Sequence, residues 1–289
     1  MTGFKGDPFT HTKTTVTHHY QWVVVHDFLK RIADPVIVDK TIKNGPKFFK
    51  GKNLFMPVEF SVAAYRFGHS MIRNSYFVNG SLPVKPASLK QIFDFIRIDN
   101  LPLLSNWVID FNLYFEGRPV PSGVSFNMAR KLDTRLAIGL EQLPGETGSF
   151  MTMLAKRNLV RGMALGLPSG QAVAKTIGAK LLTEEELQQN NSENENKVLN
   201  EAGKLLLKKT PLWYYILKEA EINQNGKRLG IVGSTILAET FVRLLKEDPN
   251  SFLNATPKFK PTLSRFNQRV IGDFDMTDIL SFANVLSLD

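Results

Sequence analysis

Residues 57–73, Pro-Val-Glu-Phe-Ser-Val-Ala-Ala-Tyr-Arg66-Phe-Gly-His69-Ser-Met-Ile-Arg73, make an apolar run that must be covered by other parts of the chain. Read as a helix over 56–72, the run is apolar most of the way round, so it belongs in a core. It also carries an arginine and a histidine three residues apart, which places them on one helical face. Polar groups taken into a core need partners. The segment therefore requires a packed helical surround that supplies polar groups of its own. His69 is the only one of the five histidines beyond residue 26.

A neutral imidazole on an apolar helix is a natural axial ligand for haem iron. An arginine one turn away can reach a carboxylate of the same group. The default for a lone histidine is a satisfied core residue, and for an arginine a cap or a surface pair. A second segment decides between these readings. Asn158-Leu-Val-Arg161-Gly-Met-Ala-Leu-Gly166-Leu167-Pro168 brings an asparagine, an arginine and a Gly-Leu-Pro turn. Together, Tyr65-Arg66-Phe67-Gly68-His69 and this Asn-x-x-Arg-x-x-x-x-Gly-Leu-Pro pattern resemble the animal-type haem peroxidases, the superfamily of myeloperoxidase and the cyclooxygenases. The runs around Trp22 and Trp213 resemble the bacterial branch of that superfamily.

The resemblance implies a mainly α, multi-helix peroxidase-like domain that lacks the distal, N-terminal part. It implies that His69 binds iron and that Asn158 accepts a hydrogen bond from the other ring nitrogen, fixing tautomer and ring plane. It implies that Arg66 and Arg161 hold haem carboxylates, each through a planar fork. Glycine at 68 leaves room beside the ligand, at a helix-propensity cost of about 1 kcal/mol. The implied cofactor is haem b. The implied reactants are hydrogen peroxide and a small-molecule electron donor.

Other parts of the family pattern are not found. Its distal helix carries Gln-x-x-Asp-His-Asp, where the histidine relays a proton, with an arginine that stabilises charge and a Ca²⁺ loop. The nearest run is Gln21-Trp22-Val-Val-Val25-His26-Asp27, whose glutamine is five residues before the histidine and whose Val25 stands at the aspartate position. His26 is thus not expected to be the distal histidine. The expectation is an incomplete product spanning 1–289 as one partial domain, with an irregular N-terminus over 1–11. The helix bearing His69 should then present an open apolar face, favouring self-association or a partner chain.

Composition narrows the alternatives. The chain has 289 residues, no cysteine and a formal net charge of +9. Absence of cysteine excludes disulfides and thiolate ligation of iron. With no apolar leader either, it favours a cytoplasmic location. No apolar run approaches the about 20 residues that cross a bilayer. Basic residues are interspersed with acids such as Glu184-Glu185-Glu186, which argues against a nucleic-acid footprint.

The remaining pattern is helical. Helices are expected over 15–32, 35–43, 88–93, 132–140, 149–165, 170–177, 211–221, 231–246 and 276–286. Asp34-Pro35 and Asn44-Gly45-Pro46 break the chain between them. Thr183 should cap a helix that has acids in its first turn. The polar tract 188–197 is expected to be a flexible loop, 256–272 a basic loop, and Trp213, Tyr214 and Tyr215 core residues. Two functions follow: a haem-dependent peroxidase, or a haem-binding relic without turnover.

Overall fold

The structure, a computed structural model, describes residues 6–50, 54–83, 85–96, 104–116, 118–143, 152–262 and 274–286. It is mainly helical. Among the described residues the only sheet is a two-residue antiparallel pairing of β1 (Ser75–Tyr76) with β2 (Ala87–Ser88).

The first helix, α1 (Pro8–Val23), starts earlier than the sequence suggests. Asp7 takes the amides of Phe9 and Thr10 on its carboxylate, and Pro8 occupies the first turn, where its missing N–H costs nothing. Residues 8–11, expected to be irregular, are thus helical. A π turn (Val24–Phe28) carries α1 into α2 (Leu29–Ile32). Asp34 then caps α3 (Pro35–Asn44), and Gly45, at φ 81°, ends it. Next come α4 (Leu89–Ile96), α5 (Leu154–Ala164), α6 (Gly170–Ile177) and α7 (Glu184–Gln188). They are followed by α8 (Glu193–Lys208), α9 (Leu212–Gln224), α10 (Ile231–Glu247) and α11 (Met276–Phe282).

The core is built on α9 and α10, which are buried on nearly all sides. Two buried carboxylates organise their surroundings. Glu219 of α9 accepts the amide of Val232 at 2.9 Å and so caps the start of α10 from a neighbouring helix. Burial pushes its carboxyl up to about 7, against the pull of the backbone amides around it. Glu239 of α10 accepts the amides of Lys47, Phe48 and Phe49 at 2.6–3.2 Å, folding that loop against the helix. Asp34 joins the same frame, its amide donating to Ser234 Oγ at 2.9 Å.

Three expectations need correction. Residues 188–197 are not one loop: α7 ends at Gln188, and α8 starts at Glu193 behind a Ser192–Glu195 capping box. The fully buried Lys218 fixes the link between them by donating to Gln189 O and to Asn191 Oδ1. A helix over 132–140 is reduced to a 3-10 turn (Ile138–Leu140). The Leu132 amide bonds Gly226 O instead, and Asp133 accepts the Arg135 amide in a local turn that competes with helix. The segment over 56–72 is not a regular α-helix but a π turn (Glu59–Ala63) followed by a 3-10 helix (Ala64–Met71). The basic loop over 256–272 is irregular through 262, and 263–272 lie outside the described residues.

Gly170 lies against the Tyr215 ring, where an added Cβ would overlap ring atoms. Gly170→Ala should destabilise the fold by about 3 kcal/mol, read as a shift in urea midpoint. His26 packs on Trp22, the ring centroids 4.0 Å apart and the planes tilted by 33°. Burial first, then the charge of Lys30, pushes its pKa from 6.5 down to about 4. The unfolded chain therefore binds this proton before the folded one does, and stability falls as pH drops from 6.5 towards 4. His26→Phe should flatten that fall, by up to about 3 kcal/mol, in denaturation curves taken across the window.

Candidate haem site on the histidine segment

The 3-10 helix decides how Arg66 and His69 sit. At three residues per turn, positions i and i+3 eclipse, so the two side chains stand one above the other. Trp213 of α9 donates from Nε1 to the Arg66 carbonyl at 3.2 Å and ties the segment to the core. Tyr65 stacks on Phe60 at 4.7 Å and meets Phe241 of α10 edge-on. Facing the segment is α5, which brings Asn158 in buried and leaves Arg157 and Arg161 exposed. Gly166 closes the chain after α5 at φ 63°, a conformation that favours glycine, and Ser169 caps α6.

Asn158 bridges the two predicted residues. Arg66 Nη1 donates to its Oδ1 at 2.6 Å, and its Nδ2 lies 2.9 Å from His69 Nδ1. The Arg66 Nε also donates to Ser61 O at 3.1 Å. His69 Nε2 has no hydrogen-bond partner among the described residues. Burial, then Arg66 and Arg157, lower the His69 pKa and keep the ring neutral. Burial, then Arg161 and Arg157, lower the pKa of the Arg66 guanidinium. Arg66, Arg157 and Arg161 thus form a cationic group, and none has an ion pair among the described residues.

Three of the four sequence-derived residues, Arg66, His69 and Asn158, come together in a single hydrogen-bonded chain. Arg161 joins through charge alone. Arg157 was missed by the sequence reading, although its place next to Asn158 was the available signal. Trp213, read there as core packing, is buried and also fixes the backbone of the site. One detail runs opposite to the resemblance: the amide nitrogen of Asn158, not its oxygen, faces the imidazole.

A cleft of about 740 Å³ lies past the end of the segment among Phe28, Met71, Tyr76 and Tyr114, and Arg66, His69 and Asn158 do not line it. A second of about 460 Å³ runs behind Asn158, past Leu167, Leu206 and Trp213. A Cβ on Gly68 would meet nothing within 4 Å, so the space beside His69 is open.

The sequence model of the animal haem peroxidase family matches residues 6–280. The chain belongs to the animal haem peroxidase family. A search of curated proteins finds no relative that matches the chain. Membership in this family suggests haem binding and haem-dependent peroxidase activity, with peroxide and a donor as substrates. The residues present fit a haem in three respects: a neutral imidazole with one nitrogen unengaged among the described residues, open space beside it, and cations with no ion pair among the described residues for two carboxylates. The amide orientation is the point of disagreement. Among the described residues no helix is long and apolar enough to cross a membrane, and no group of three His, Cys, Asp or Glu is placed to hold a metal ion.

Removing the bridge should cost stability without any ligand present. Asn158→Ala strands a part-buried guanidinium contact and an imidazole nitrogen, so it should destabilise by about 1–3 kcal/mol. Urea denaturation of the ligand-free chain measures this.

Proposed function

We propose that this chain is a haem-dependent peroxidase domain in which His69 is the axial iron ligand and haem b the cofactor. The observation that carries this reading is the Arg66–Asn158–His69 chain, which leaves His69 Nε2 unengaged beside open space. The bound haem supplies the redox chemistry that reduces hydrogen peroxide and oxidises a small-molecule donor. The chain's own part is to bind, orient and neutralise. His69 holds the metal, Asn158 sets the ring plane, and Arg66, Arg161 and Arg157 receive the carboxylates.

A second reading, haem binding without turnover, is favoured by three of the four remaining histidines. His18 donates to Asn250 O, His19 is held between Thr15 O and the Thr262 amide, and His26 packs on Trp22. Both ring nitrogens of His19 and Nε2 of His18 are thus engaged and cannot relay a proton from peroxide. Under either reading the exposed Tyr65, Val160, Met163 and Leu165 around the site suit a covering surface, from a second copy or a partner chain.

Titration of the purified chain with haemin should give a saturable, red-shifted Soret band, and His69→Ala should lose it. An identical band in both proteins would remove His69 from the role of ligand. Peroxide turnover by the wild-type complex then separates enzyme from relic.

A further inference from the structure

An amide presents an acceptor oxygen on one side and a donor NH₂ on the other, while a guanidinium only donates. Arg66 Nη1 sits 2.6 Å from Asn158 Oδ1. Turning the amide over would set NH₂ against guanidinium N–H, donor against donor, at that distance. Arg66 therefore dictates which end of Asn158 faces His69, and the end it leaves is the donor, 2.9 Å from Nδ1. An imidazole nitrogen that accepts a hydrogen bond carries no proton, so in this neutral ring the proton is on Nε2. A protonated Nε2 has no lone pair to give a metal.

We propose that Arg66 is a positioning residue for His69, acting through Asn158: while its guanidinium holds the Asn158 carbonyl, His69 stays in the tautomer that does not bind metal, and its transfer to an anionic ligand group releases the amide to turn over. The carbonyl then accepts from Nδ1–H, and Nε2 is left with its lone pair. Solvent takes the proton from Nε2 and returns one to Nδ1, so the ring stays neutral. This inference rests on the reading of His69 as the iron ligand and adds a condition to it: carboxylate binding and metal ligation are one coupled event.

The surroundings favour such a transfer. The Arg66 backbone is fixed by Trp213 and its Nε by Ser61 O, so the contact to Asn158 is made by one end of the fork. Arg157 and Arg161 crowd the guanidinium with like charge, and it has no ion pair among the described residues. An incoming carboxylate relieves that repulsion and competes directly with a neutral amide oxygen, which is the weaker acceptor.

The test has two readouts. ¹⁵N NMR of the histidine-labelled, ligand-free chain reports the His69 tautomer: wild type should carry its proton on Nε2, Arg66→Lys should keep it there because lysine also only donates, and Arg66→Leu should shift it towards Nδ1. Zinc protoporphyrin IX and its dimethyl ester then probe ligation, since the ester keeps the metal and lacks the carboxylates. Wild type should bind the ester weakly, and Arg66→Leu should bind that ester about tenfold more tightly than wild type, as expected when one charged hydrogen bond no longer opposes ligation. An arginine that only anchors carboxylates predicts no such gain. Proton on Nδ1 in the ligand-free wild type, or no gain for the ester in Arg66→Leu, overturns the proposal. Porphyrin spectra that His69→Ala leaves unchanged would instead overturn the ligand assignment on which it stands.

Discussion

Backbone amides folded onto buried carboxylates hold this molecule together. Glu219 fixes the start of α10 by accepting the Val232 amide, and Glu239, in its middle, accepts the amides of Lys47, Phe48 and Phe49 from a distant loop. A carboxylate inside a core is costly unless its lone pairs are used. Here they are used by segments distant in sequence, so burial of α10 and the placement of its neighbours are one event. The aromatic contacts of Phe241 with Phe60 and Tyr65 then seat the histidine segment on the same helix.

At the site the same rule operates with a neutral group. Asn158 is almost fully buried, and both ends of its amide are used. Because the two ends are chemically opposite, what contacts one end decides what the other offers. A carboxylate at this position would accept from both neighbours and push the imidazole towards imidazolate; the amide keeps it neutral and leaves its polarity open to control.

Much of this was legible in the chain. The apolar run around His69 and the Asn158–Arg161 pattern picked out residues that the structure brings together, and Pro, Gly and capping residues placed most helix ends. Less legible was anything set by tertiary competition. Leu132 bonds Gly226 O instead of continuing a helix. Polar residues 193–197 lie in a helix because Ser192 and Glu195 cap it and Lys218 pins the link before it. Arg157 was not singled out, since sequence spacing says nothing about which side chains share a field. The orientation of the Asn158 amide is likewise invisible in sequence, where an asparagine is the same residue either way round.

The histidine segment winds as a 3-10 helix, and this has a metric consequence. With about 2.0 Å of rise per residue, positions 66 and 69 stand about 6 Å apart along the axis. In an α-helix they would be about 4.5 Å apart. Asn158 spans side chains set at that wider interval, its Oδ1 on Arg66 and its Nδ2 on His69. Rewinding the segment to α geometry would shorten the interval by about 1.5 Å. The winding of the backbone thus acts as a gauge for the group that sits between the two side chains.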